Sequence, residues 1–437
     1  MMKVPTLFLH FCIGTIAVLL LFSYCIPRIQ VHAFSSCCPL FTARSKLLTT
    51  RGSIIGFGFN ALAATTSSTS ADNNADDVAT SDSTVATTTD NNNILILDHL
   101  NINHEKGRHD LVKAFYVDVL KCSIDPRKLE NVEAGKKTIW MNIGCQQFHL
   151  PEGKPTAQVL DGIVTLVYPN LESIIERYEK IVKDKSSSFL LQSKLDFKIV
   201  DTSDGKRELM ITDPWGTKFH IVEADKNSEG DYYGCRDPRG KQPGDVSEGY
   251  SMCDLTIYTP PDSNLDGIGR FYEQVLGAQL IKTDELHHDK IQILTGPYQT
   301  LTFQYTPTKA SSTTTTTTVD SHVDLRDESS TEADERAKQY TSNYGPHISM
   351  YVSNLKETYV RCEQLGVCYV NPRFKRRAYT LDEAFKDCMF RCLDIIDPQN
   401  PDEGPILKLE HEIRSCIKQD GSKYKSCPFD EIPKECQ

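Results

Sequence analysis

No aspartate or glutamate occurs before Asp72, whereas Lys3, Arg28, Arg44, Lys46 and Arg51 give that stretch a charge of +5. Removing those five from the chain's 48 Lys and Arg leaves 43 basic against 59 acidic side chains, a net of −16 on the remainder. A body that acidic repels phosphate backbones, which excludes nucleic acid as a partner. The Asn-x-Ser/Thr acceptor is absent throughout, which argues against a secreted glycoprotein. No phosphate-binding P-loop, Gly-x-Ser-x-Gly elbow or His-Glu-x-x-His pair occurs, so three common enzyme chemistries lose their usual marks. Full disulfide pairing within the chain is excluded as well, since 11 of the 15 Cys lie after residue 95.

What the leader does have is the form of an address. Lys3 precedes an apolar run over residues 7–26, and Val31-His32-Ala33 puts small residues at the −3 and −1 positions of a signal-peptidase site. Residues 1–33 are read as a signal peptide, with an uncleaved signal anchor as the alternative. Phe34 stands directly after the cut, and residues 34–71 are rich in Ser, Thr and Ala with three basic side chains. This resembles the bipartite plastid presequence of diatom-like algae. The expected destination is the plastid, either the stroma or, through the apolar run at residues 54–62, the thylakoid lumen. Secretion or membrane anchoring is the alternative, and no stable membrane association is expected once the signal is removed. Residues 65–92 hold almost nothing to bury, so 34–93 is read as transit peptide plus disordered linker.

The body is organised by an internal repeat. Phe115-Tyr116 with Val119-Leu120 recurs as Phe271-Tyr272 with Val275-Leu276, an offset of 156. Asn170-Leu171 and Asp213-Pro214 recur as Asn354-Leu355 and Asp397-Pro398 at an offset of 184. The 28-residue difference is absorbed by a Thr-rich insertion over residues 306–342. Within the first copy, residues 94–102 read as a strand, and Leu111, Phe115 and Val119 keep helical spacing. Residues 138–150 read as paired strands. A second unit follows: a strand at 163–167, a helix over 171–181, and a hairpin at Asp204-Gly205. Its last strand, at 219–222, comes after the turn Asp213-Pro214-Trp215-Gly216. The expected fold class is α+β, with four tandem βαβββ modules forming two paired domains, 94–226 and 250–415, before a Cys-containing tail at 416–437.

Asp98-His99-Leu100, Phe115-Tyr116, Asp213-Pro214-Trp215-Gly216 and residues 218–223 together resemble the vicinal oxygen chelate superfamily, which includes glyoxalase-like and extradiol dioxygenase-like proteins. The resemblance implies a divalent metal (Fe, Zn, Ni or Mn) and a small-molecule substrate in a pocket liganded from first and last strands. In the first domain those corners read His99, His149 and His220, with Gly162-Ile163 at the fourth. Three imidazoles with an open position suit a catalytic site. The second domain reads Asp254, Gln304, His347 and Lys408, and Lys408 opposes a cation, so that domain is expected to be degenerate. Neither the metal-bound glutamate of lactoylglutathione lyase nor the carboxylate of an extradiol dioxygenase is found at these corners. The function expected is a metal-dependent lyase, isomerase or oxygenase acting on an oxygen-bearing molecule. The alternative is a metal-free binding or scaffold protein. Nearby, Arg373, Lys375, Arg376 and Arg377 form the one dense basic run, and Cys416, Cys427 and Cys436 suggest a disulfide or regulatory thiols in the tail.

Overall fold

Residues 92–133, 138–153, 157–183, 196–202, 205–224, 246–281, 289–307, 345–372 and 374–436 are described by the structure, a computed structural model. The leader and its cleavage sites, most of the linker and of the Thr-rich insertion, Asp204 and Arg373 lie outside the described residues. Among the described residues fifteen strands form two mixed sheets. The first contains β1 (Ile94–Asn101), β2 (Ser123–Ile124), β3 (Thr138–Ile143), β4 (Gln146–Pro151), β13 (His347–Val352), β14 (Met389–Ile396) and β15 (Pro405–Ser415). Their order is β14-β15-β13-β1-β4-β3-β2. The second contains β5 (Gly162–Tyr168), β6 (Phe197–Asp201), β7 (Arg207–Thr212), β8 (Lys218–Glu223), β9 (Ser251–Thr259), β10 (Gln279–Ile281), β11 (Lys290–Leu294) and β12 (Thr300–Tyr305). Their order is β10-β11-β12-β9-β5-β8-β7-β6.

The expected pairing of modules is corrected by this topology. Antiparallel β1–β13 joins the first module to the fourth, and antiparallel β5–β9 joins the second to the third. A repeat identifies the modules but not their partners, because every module offers the same kind of opening-strand edge. Gly162, read from sequence as an empty ligand corner, has another reason to be glycine. A Cβ there would lie 2.0 Å from the Thr256 carbonyl oxygen of β9, so only a bare backbone lets the two strands close.

Consecutive modules nevertheless share packing. Phe115 and Phe148 of the first meet Phe219 of the second, with ring centroids 5.4 and 5.8 Å apart. The Tyr272 hydroxyl of the third donates to His411 Nε2 of the fourth at 2.6 Å, in one continuous apolar core. The repeated Phe-Tyr-x-x-Val-Leu is helical as expected but wound as a π-turn in both copies, Leu120 N–H to Phe115 O and Leu276 N–H to Phe271 O. Each ends on a left-handed residue, Gly277 in one copy (φ 71°) and Lys121 in the other (φ 51°).

The duplicated Asp-Pro turn shows how environment splits one motif. Asp213 is buried, and its Oδ1 accepts from the N–H groups of Trp215, Gly216 and Thr217 at 2.8–2.9 Å. Burial dominates and pushes its carboxyl up to about 6. Asp397 instead receives a two-pronged bond from Arg270, 2.9 and 2.6 Å, which holds it far below the usual carboxylate range. The signs are opposite. Asp397 contributes stability above its ordinary pKa and loses it in stronger acid. Asp213, raised on folding, favours the native state when protonated and loses that contribution as pH rises from about 4 through 6. A rise of that size corresponds to roughly 3 kcal/mol. Asp213→Asn keeps the acceptor and removes the charge, so urea midpoints of wild type should fall relative to the variant between pH 4 and 6. Parallel curves for the two proteins would refute the assignment.

Candidate metal centre

On the inner face of the first sheet a single row of cross-strand partners runs Ser123, Asn142, Gln147, His99, Ser349, Glu412, Arg391. All seven are buried and polar. The adjacent row runs Trp140, His149, Asn101, His347, Glu410. The other face of β15 carries Leu407, Leu409, His411 and Ile413, so strand alternation sets apolar core against polar site. So much buried polarity persists only where the groups are mutually satisfied or hold a ligand.

His99, His347 and Glu412 converge, with one ligand atom from each lying within 4.8 Å of the others. His347 Nε2 is 3.9 Å from Glu412 Oε2. A β-bulge between Leu97 and His99 puts Asp98 out of register and turns its carboxylate onto the neighbouring ring, Oδ2 to His99 Nδ1 at 2.8 Å. Nδ1 therefore carries the proton, and Nε2 presents a lone pair with no hydrogen-bond partner among the described residues. Burial lowers the His99 pKa against the opposing pull of Asp98, so the ring is neutral as a ligand must be. Burial would raise the Glu412 pKa, but Arg414 and Arg391 outweigh it and hold the carboxylate well below its ordinary value. Two imidazole nitrogens and one carboxylate form a donor set that fits Fe(II), Zn(II) or a similar divalent ion.

Two arginines bear on the same carboxylate. Arg391 spans Glu410 and Glu412, reaching Glu410 Oε1 at 2.6 Å, and Arg414 binds the other oxygen of Glu412. Asn371 donates to Glu410 Oε2 at 2.7 Å, and the Phe374 ring lies under the Arg391 guanidinium at 4.0 Å. Each carboxylate oxygen keeps a second lone-pair direction, so Glu412 can serve an arginine and an ion together.

The expected trio His99, His149 and His220 does not assemble. His149 reaches the site but stacks on His99, ring centroids 3.7 Å apart, with Trp140 stacked on its far side at 4.4 Å. Its Nε2 donates to Gln147 Oε1 at 3.0 Å, so the ring braces His99 from the side. His220 lies on the second sheet, paired with Glu208 at 2.8 Å. The cause is the altered module pairing. His347, expected in a degenerate domain, enters the site for the same reason. Lys408 does not oppose a cation there, since it pairs with Asp394 at 2.5 Å. Asp254 is held by the hydroxyls of Thr256, Thr300 and Thr302. The missing carboxylate is Glu412, four residues beyond the expected corner. Its signal was Lys408, Glu410, Glu412 and Arg414 alternating along a strand whose other face is apolar.

No family model and no curated protein matches this chain. Among solved structures, a Bacillus subtilis protein provisionally called a dioxygenase aligns at 12% identity and a TM-score of 0.41, covering 78% of this chain and 92% of its own. Glyoxalase I from Zea mays aligns at 10% identity and a TM-score of 0.40, covering 74% and 92%. Lactoylglutathione lyase from Agrobacterium tumefaciens aligns at 14% and 0.21 over 29% of this chain and 92% of its own. By its own topology the chain is α+β, strand-helix-strands four times over, with the first and fourth modules sharing one sheet and the second and third the other.

Proposed function

We propose that this chain is a divalent-metal enzyme, a lyase, isomerase or oxygenase acting on a small oxygen-bearing molecule at His99, His347 and Glu412. The observation that carries this is the convergence of those three buried donors, with Asp98 fixing the His99 tautomer. When bound, the metal supplies Lewis-acid polarisation of a substrate oxygen and, as iron(II), access to oxygen chemistry. The chain's own residues do the rest. Asp98 keeps the His99 lone pair directed inward, and the His149–Trp140 stack resists rotation of that ring. Arg391 and Arg414 keep Glu412 ionised, and the burial of all three donors keeps water away. The second reading is a metal-free binding or scaffold protein, favoured by the two guanidinium groups already on Glu412. Dialysis against Fe(II), Zn(II), Ni(II) or Mn(II), then elemental analysis, should give one chelator-removable equivalent per chain. None with any of the four would leave the metal-free reading standing.

The leader supports a plastid location reached through the secretory pathway. N-terminal sequencing of the native protein should begin at or beyond Phe34, and a start near Met1 with membrane retention would favour the anchor instead. Among the described residues no helix is long and apolar enough to cross a membrane.

A further inference from the structure

The last strand of the first sheet runs directly into a cysteine-bearing strap. After β15 the chain forms a small hairpin, with Ile417 bridged to Lys423 and the Tyr424 N–H bonded to the Cys416 carbonyl at 2.7 Å. A turn follows, Cys427 N–H to Tyr424 O at 3.0 Å, and it brings the backbone of Cys427 back beside Cys416. Cys416, Tyr424 and Cys436 are buried in one cluster with Leu95, Ile96 and Tyr351 of the first sheet, and Cys427 packs against it. Cys416, Cys427 and Cys436 are thus gathered in one small cluster against the sheet. Cys427 is the partly exposed one of the three, whereas Cys416 is fully buried.

The strap reaches the metal centre through named contacts. Tyr351 Oη donates to the Ser426 carbonyl at 2.5 Å, and Arg414 Nη1 donates to Tyr351 Oη at 3.4 Å. Arg414 in turn binds Glu412. Ser426 lies inside the loop that a Cys416–Cys427 bond would close. Tyr424, also inside it, accepts from Arg376 of the basic run.

We propose that Cys416 and Cys427 form a thiol–disulfide exchange site, and that its oxidised form locks the strap against Tyr351. The co-reactant is a low-molecular-weight disulfide such as glutathione disulfide. The Cys427 thiolate attacks one sulfur of that disulfide, forming a mixed disulfide and releasing one thiolate. The Cys416 thiolate then attacks the Cys427 sulfur, closing the internal bond and releasing the second. Two protein thiols are oxidised as one disulfide is reduced to two thiols. The neighbouring Cys416 thiol, with Lys423 adding less, holds the Cys427 thiol below its ordinary pKa, which suits it to the first attack. Cys436 stays a thiol. The effect on Arg414 and Glu412 rests on the metal-centre reading, whereas the disulfide does not.

Trypsin separates the three sulfurs, since cuts after Arg414, Lys418, Lys425 and Lys434 leave Cys416, Cys427 and Cys436 on different peptides. Full-length protein treated with glutathione disulfide, alkylated and digested should yield residues 415–418 linked to 426–434, with Cys436 alkylated. Three alkylated cysteines, or a link from Cys416 to Cys436, would overturn the assignment. Hydrogen–deuterium exchange supplies the second arm without any metal. Amides of residues 417–426 should exchange at least tenfold more slowly in the oxidised protein, and Cys427→Ser should show no response to the oxidant. Equal exchange in the two states of wild type would remove the strap from the proposal.

Discussion

His347→Ala should abolish stoichiometric metal binding, whereas His220→Ala should leave one equivalent per chain in place. His347 supplies one of three converging donors, and two donors on a rigid sheet cannot complete a site of this kind. His220 sits on the second sheet against Glu208 and is remote from the convergence by topology. His149→Ala falls between the two. It removes the ring stacked on His99 without removing a donor, and loss of such supporting groups typically weakens affinity by roughly 10- to 100-fold. Equilibrium dialysis with Co(II) or Zn(II), with circular dichroism to confirm folding, checks all three variants. Retention by the His347 variant, or loss from the His220 variant, would dismantle the centre as described.

That experiment also marks where sequence reasoning reached and where it stopped. The modules were legible because their chemistry is local. Helical spacing at Leu111, Phe115 and Val119, the Asp213-Pro214 turn and period-two strands need no knowledge of distant partners. His99 was legible too, since it stands on an opening strand beside Asp98. Which modules share a sheet is a long-range choice between similar edges, and it decided the fate of His220 and His347. With β1 paired to β13, His347 joined the site and His220 left it. Glu412 was missed because β15 runs eleven residues and the functional position lies near its far end. From sequence only Lys408 of that strand was singled out. In the structure Glu410 and Glu412 are buried and answered by Arg391 and Arg414, and the pairs were invisible without the fold.

Arg391→Gln should lower stability in chelator and enlarge the stabilisation that a divalent metal confers. Arg391 is buried and answers two buried carboxylates at once, so, among the described residues, its loss leaves Glu410 without a cationic partner and Glu412 with Arg414 as its remaining arginine. Removing one partner from a buried ion pair costs about 3–5 kcal/mol, most of it the uncompensated charge left behind. The guanidinium and an incoming cation would share one atom on separate lone pairs and repel each other there, because Arg391 binds Glu412 Oε2, the oxygen 3.9 Å from His347 Nε2. Without the arginine, a bound metal restores the missing positive charge and meets no rival there. Each tenfold gain in affinity adds about 1.4 kcal/mol to metal-dependent stability under saturation. Thermal melts of wild type and variant, in chelator and in excess Zn(II), measure the four states required. The variant should melt lower in chelator and show the larger rise with metal. A smaller rise would mean that Arg391 holds Glu412 in its ligating pose and does not compete. No rise in either protein, at a metal concentration where dialysis shows no binding, would identify the arginines as the permanent occupants of the site.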